Sequence, residues 1–178
     1  MTNTTAPDTV AMNTGAKNTG AKNTAAKNTG APAAGAAATT LTETVMDLAA
    51  DRDAWLPRVR LDPSDRWYER LHRDGDREIW LISWLPGQGT GLHDHGGSRG
   101  AFAVALGVLQ ERDLGAVRDV RPGEARAFGP EYLHEVRNVS SAPAISVHAY
   151  SPPLTSMNRY ELVHGRPVRL ATEDAGQW

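Results

Sequence analysis

Between residues 67 and 150 the chain is cut by turn residues into short runs of strand formers, and this punctuation leaves few folds open. Trp67-Tyr68-Glu69-Arg70-Leu71-His72 runs into Arg73-Asp74-Gly75-Asp76, where Asp-Gly is a strong hairpin signal. Glu78-Ile79-Trp80-Leu81-Ile82-Ser83-Trp84-Leu85 is rich in β-branched and aromatic residues and reads as a buried strand, with Trp80 and Trp84 as core. Pro86 to Gly91 is a turn. Further strand candidates are 92–95, 101–106, 108–112, 125–128, 134–138 and 144–150. Gly96-Gly97, Gly107, Gly115, Pro122-Gly123, Gly129-Pro130 and Ser140-Ser141 separate them. Many short strands at this spacing argue for a mainly β fold, an antiparallel sandwich or jelly-roll barrel. Residues 164–178 carry little signal.

The first forty residues do not belong to that pattern. Asn13-Thr14-Gly15-Ala16-Lys17 recurs at 18–22, 23–27 and, ending in Pro32, at 28–32. A five-residue repeat of small and polar residues has almost nothing to bury against an ordering cost of roughly 1–2 kcal/mol per residue. Residues 1–40 are therefore expected to form a disordered tail and 41–178 a single domain. No apolar core of a secretory signal is present in the tail. Thr40-Leu41-Thr42-Glu43 has the form of a capping box. Val45, Met46, Leu48, Ala49 and Trp55 follow at helical spacing, and Pro57 should end the helix. Asp62-Pro63-Ser64 could open a short second one. One or two helices are thus expected ahead of the strands.

Charge narrows the partners. All three lysines lie in the tail; from residue 41 onward 16 arginines face 20 acidic residues, a net −4. A mildly acidic domain is a poor match for nucleic acid. No run approaches the ~20 apolar residues that span a bilayer. The absence of cysteine fits a cytoplasmic protein. A monomer acting on a small molecule is the expectation.

The chemistry is carried by histidines. In an extended strand, residues i and i+2 share a face, so His93 and His95 can offer two imidazoles to one metal ion. His134 on a neighbouring strand would supply a third and leave open positions for substrate. Three neutral imidazoles leave the ion its full charge, which favours a ligand bringing negative charge, a thiolate among them. Imidazoles alone also suit zinc, copper and nickel. His72 and His164 stand outside any motif.

The spacing Gly87, His93-Asp94-His95, Gly100, Gly107 resembles the first motif of the cupins, a superfamily of small β-barrels. Most cupins have a glutamate ligand where this chain has Gly100. The second cupin motif is similar in Gly123 and in His134 followed by Asn138, with Gly129-Pro130-Glu131 in place of its Pro-x-Gly. Ser146, His148 and Tyr150 alternate along one strand and run into Ser151-Pro152-Pro153; Tyr68 and Arg70 alternate upstream. Together with His93-Asp94-His95-Gly96-Gly97-Ser98, these motifs resemble the bacterial cysteine dioxygenases over most of residues 41–160.

That resemblance implies a cupin jelly-roll and a non-haem enzyme that oxidises L-cysteine with O₂ to cysteine sulfinate. It implies iron(II) held by His93, His95 and His134. It makes Arg70 the group that binds the substrate carboxylate, with Tyr68 nearby. Tyr150 would sit beside metal and substrate, backed by His148 and Ser146. The Ser151-Pro152 bond would be cis. Mammalian members carry, at the position of Gly100, a cysteine cross-linked to their counterpart of Tyr150, which cannot form here. The related 3-mercaptopropionate dioxygenases have Gln at the position of Arg70 and an arginine beyond the Ser-Pro-Pro turn, where this chain has Met157, with Arg159 nearby. The same chemistry on such a thiol, and a non-catalytic metal-binding cupin, are the alternatives.

Overall fold

A computed structural model describes residues 34–177, with side chains from 41 to 176. The repeat segment lies outside these residues. Helix α1 (Ala34–Ala50) begins before the capping-box pattern, which sits inside it. The alanines at 36–38 are strong helix formers and carry the helix past the expected start. The helix also ends earlier than expected. Asp51 interrupts it and caps α2 (Arg52–Trp55), its Oδ1 accepting from the Ala54 backbone N–H at 3.3 Å. Residues 63–65 bend without forming a helix.

Eleven strands follow: β1 (Trp67–Arg73), β2 (Glu78–Trp84), β3 (Leu92–His93), β4 (Arg99–Leu106), β5 (Leu109–Asp113), β6 (Val117–Val120), β7 (Ala125–Phe128), β8 (His134–Arg137), β9 (Ala144–Ser151), β10 (Ser156–Val163) and β11 (Arg166–Asp174). They form two antiparallel sheets ordered β1-β2-β9-β4-β7 and β11-β10-β3-β8-β5-β6. Strand β6 and the β10–β11 hairpin were not expected from sequence. Residues 161–170 of that hairpin are exposed, so no alternation of apolar and polar residues marks them.

Alternation sorts the first sheet into two faces. Ile79, Leu81, Ala101, Ala103, Ile145, Val147 and Ala149 point outward and are covered by Leu41 and Val45 of α1 and by Trp55. Full burial of each large aliphatic chain there contributes roughly 1.5–3 kcal/mol. The alternate residues point inward. Trp84, Phe102, Val104 and Tyr150 meet Leu109, Val120 and Val136 of the second sheet, closing the expected jelly-roll core. Asn138, fully buried, ties the end of β2 to the loop that leads into β9. Its Nδ2 donates to the carbonyls of Trp84 (2.9 Å) and Ala142 (2.8 Å), and its Oδ1 accepts from Ser140. Among the described residues no helix is long and apolar enough to cross a membrane.

Candidate metal centre

His93 on β3 is the direct register partner of His134 on β8. Partners on an antiparallel ladder point to the same side, so the two imidazoles meet with centroids 4.8 Å apart. His95 lies past the end of β3, on the same side, 4.9 Å from the His93 ring and 5.1 Å from the His134 ring. Asp94 holds this short stretch in place. Its backbone N–H donates to the Asn158 carbonyl (3.1 Å), and its carboxylate accepts from Asn158 Nδ2 (2.9 and 3.0 Å) and the Tyr160 hydroxyl (2.8 Å). Gly96, at φ +59°, then turns the chain where a Cβ would lie 2.5 Å from the Ser156 carbonyl oxygen. The outcome is three buried histidines, each with a ligand atom, all within 4.8 Å of one another.

Their protonation is set by what surrounds them. His93 Nδ1 lies 2.9 Å from the Gly91 carbonyl, which can only accept, so Nδ1 carries the proton and Nε2 is left with its lone pair. His134 Nδ1 lies 2.8 Å from Glu111 Oε1, so Nδ1 is the donor and Nε2 is the ring nitrogen turned to the other histidines. Neither ring nitrogen of His95 has a hydrogen-bond partner, although both are buried. Burial holds His93 and His95 well below the ordinary histidine range, and the neighbouring histidines push in the same direction. Three clustered imidazoles, His93 and His95 held neutral and the His95 ring orphaned, are what a borderline divalent ion requires.

Glu111 is a residue the sequence reading passed over. It sits fully buried on β5, diagonal to His134 across the ladder, where its register partner is Val136. Its Oε2 accepts from Arg126 Nε (2.8 Å) and Arg118 Nη1 (3.1 Å), and Tyr132 stands 3.3 Å from Oε1. Burial raises its pKa, but the His134 and Arg126 contacts outweigh this and hold it ionised. The signal was present: Leu109, Glu111 and Asp113 alternate, which puts a carboxylate on an apolar strand face.

A cavity of about 300 Å³ opens beside His93 and His134. Trp80, Ile82, Trp84, Val136 and Leu154 give it an apolar wall, and His148 and Tyr150 line it. Trp84 is core, as read from sequence, and lines the cavity as well; Trp80 packs against that core at the cavity wall. Trp84 Nε1, a donor only, gives its hydrogen to Ser146 Oγ at 2.9 Å. Ser146 in turn lies 2.8 Å from His148 Nε2, and His148 Nδ1 lies 3.4 Å from the Tyr150 hydroxyl. With the indole feeding the chain, Ser146 donates to Nε2, and Nδ1–H faces the Tyr150 oxygen. The Tyr150 hydrogen is then free to point into the cavity. Burial pushes His148 down to about 3 and raises Tyr150, so this pair is a neutral imidazole and a protonated phenol.

Comparison with known proteins settles the kinship. Residues 34–162 match the family described as cysteine dioxygenase type I. The chain belongs to that family. Cysteine dioxygenase type 1 of Rattus norvegicus is 26% identical over a stretch covering 49% of this chain and 51% of the relative. The Danio rerio protein is also 26% identical, over 60% and 61%. The chain thus spans about half the length of the first of these curated relatives. Among solved structures, the TT1209 protein from Thermus thermophilus superposes with a TM-score of 0.52 at 26% identity, covering 55% of this chain and 94% of that one. An RmlC-like cupin from Desulfovibrio desulfuricans gives 0.51 at 23% identity over 56% and 93%, which shows the cupin fold.

Within this cysteine dioxygenase fold, the remaining expected residues fall as follows. Ser151-Pro152 is cis, as the resemblance implied. Glu78, fully buried, accepts from the Leu154 N–H at 3.0 Å and so ties down the loop after it. Gly100 pairs with both Phe128 and Tyr150, and a Cβ on it would lie 2.5 Å from the Phe128 ring and 2.9 Å from Tyr150 Cδ1. Phe128, stacked on His95 at 4.5 Å, fills the space a ligand side chain at position 100 would need. Tyr68 lines the cavity while remaining 43% exposed. Arg70 does not line it. Its side chain is exposed and its guanidinium lies over the Trp80 ring at 5.4 Å, because its register partner on β2 is Trp80 itself. The arginines that do line the cavity are Arg66 and Arg159.

Proposed function

We propose that this protein is an iron(II)-dependent thiol dioxygenase that converts L-cysteine and O₂ to cysteine sulfinate. The observation that carries the reading is the cluster of three buried imidazoles beside a cavity able to hold a small molecule, in a chain of the cysteine dioxygenase family. His93, His95 and His134 would hold the ion, and iron(II) bound there would supply the chemistry that lets O₂ react with a thiol. Both oxygen atoms end on sulfur, so RSH and O₂ give RSO₂H without a further reductant.

The chain's own residues position the reactants. The apolar wall of Ile82, Trp80 and Leu154 offers contact to the methylene of a small thiol. Tyr150, kept protonated and backed by His148, would donate a hydrogen bond into the cavity. Ser146 and Trp84 hold the His148 ring in one orientation.

The test is metal analysis of the purified protein, together with oxygen uptake and product mass spectrometry on a panel of thiols. Iron, with a product from cysteine heavier by two oxygen atoms, is the expected result. Uptake only with 3-mercaptopropionate would move the substrate assignment. Metal without uptake on any thiol would reduce the protein to a metal-binding cupin.

A further inference from the structure

A row of register partners crosses the whole first sheet: Arg73 on β1, Glu78 on β2, Tyr150 on β9, Gly100 on β4 and Phe128 on β7. Tyr150 lines the cavity, and Glu78 stands next to it with no part in the reaction described above. Glu78 is out of place by composition. It is fully buried at the head of a strand that is otherwise apolar but for Ser83. Burying a carboxylate is costly, and an apolar side chain of similar volume would fill the same space. What an apolar side chain could not do is accept hydrogen bonds. Glu78 Oε2 accepts from Arg73 Nη1 at 3.1 Å, and Oε1 accepts from the Leu154 backbone N–H at 3.0 Å. The Arg73 side chain is 39% exposed, so the pair has a wet end at the surface and a dry end at the loop.

The dry end acts where the chain has few other means of holding itself. Pro152-Pro153-Leu154-Thr155 carries the backbone from β9 in the first sheet to β10 in the second. The two prolines have no N–H, so Leu154 supplies the first backbone donor after β9, and Glu78 takes it. One residue on, the Thr155 carbonyl accepts from the Ala175 N–H at 3.0 Å. Between these anchors the Leu154 side chain, 3% exposed, forms part of the cavity wall, and Met157 follows on the same wall.

We infer that Glu78 is a positioning residue for this cavity: by holding the Leu154 amide it fixes how far the leucine side chain reaches in, and so limits the bulk of the thiol that enters, an inference resting on the thiol dioxygenase reading above. The carboxylate touches no reactant; it acts through Leu154. A few methyl groups are enough to register in a wall of this kind, because closely packed side chains have no room to give.

The experiment compares anaerobic binding of L-cysteine and of L-penicillamine, which adds two methyl groups beside the sulfur, to the iron-loaded protein by calorimetry. Hydrogen exchange at the Leu154 amide is read by mass spectrometry, and oxygen uptake is measured with both thiols. Wild type should protect the amide and prefer L-cysteine by roughly 10-fold or more. Glu78→Leu fills the space but accepts nothing: exchange at Leu154 should rise about 10-fold or more, and the preference should shrink about 10-fold. Glu78→Gln keeps an acceptor and should bring both back toward wild type, a separation that a space-filling role would not produce. Glu78→Ala, which water can enter from the Arg73 side, takes the place of the Leu variant should that not fold. A wild-type Leu154 amide that exchanges freely, a preference unaltered when the acceptor is lost, or a Gln variant that behaves like the Leu variant overturns the inference. Binding of L-cysteine by the wild type without oxygen uptake removes the dioxygenase reading and leaves the preference to decide the role of Glu78. Equal uptake and binding of the two thiols by the wild type does the reverse, and a wild type that binds neither thiol removes both.

Discussion

His134 donates its Nδ1 proton to Glu111 across 2.8 Å, and neither side chain is more than 2% exposed. This single contact fixes the tautomer of one of the three clustered histidines and ties it to Arg118, Arg126 and Tyr132 through the shared carboxylate. A carboxylate behind a ligating imidazole orients it and raises its basicity.

Removing that carboxylate should be felt at the metal. Glu111→Gln keeps the shape and loses the charge, and metal affinity should fall by about 10- to 100-fold. Glu111→Ala leaves Arg126, Arg118 and His134 facing a hole and should also cost ~3–5 kcal/mol of stability. Titration against a competing chelator reads the first effect and chemical denaturation the second. Wild-type metal affinity in Glu111→Gln would show that His134 needs no such partner.

The buried histidines make the metal-free protein sensitive to acid. His148 is held down to about 3, and His93 and His95 are also held low, each by burial first. In the unfolded chain each takes up a proton near pH 6.5. Below that value the unfolded state therefore binds more protons, and stability falls as pH falls, by up to ~1.4 kcal/mol per pH unit for each histidine. For His148 the loss continues to about pH 3. The carboxylates with lowered pKa, Asp74, Asp113 and Glu111 among them, act in the same direction, but only below about pH 4.5. Thermal denaturation between pH 7.5 and 5 isolates the histidines, and a flat profile there would contradict their neutral burial.

Gly100 faces a wall. With Phe128 at 2.5 Å from any Cβ, Gly100→Ala should cost ~1–3 kcal/mol through overpacking. Shrinking the neighbour in a Gly100→Ala, Phe128→Leu double variant should recover part of it, because residues in contact are not additive. Equal additive losses in a urea denaturation cycle would place the strain elsewhere.

Tyr150→Phe deletes one hydroxyl at the cavity and leaves the ring packed against Phe128 and His95. Metal content and melting temperature should stay near wild type, while oxygen uptake with cysteine should drop by ~10²-fold or more. Undiminished uptake would take Tyr150 out of the reaction.

Much of the fold was legible because burial on one face writes a period of two into a strand. Residues 67–73, 78–84 and 144–151 alternate or run apolar, and the structure has strands there. The β10–β11 hairpin stands in solvent at its tip and wrote no such pattern. The helix start was misplaced because a capping pattern at Thr40 competes with a preceding run of alanines, and propensity carried the helix through.

What the amino-acid order determined alone was local. It set His93 and His95 two residues apart, Ser146, His148 and Tyr150 on one strand face, and turn residues between short strands. Which partners those groups meet was decided by register between strands far apart in sequence. Pairing of β3 with β8 brought His134 to His93; pairing of β5 with β8 put Glu111 behind it. The β1–β2 register seated Arg70 on Trp80, while Arg66 came to line the cavity. Side-chain periodicity states which residues share a face, but the partner opposite and the depth of each depend on how the two sheets close on one another.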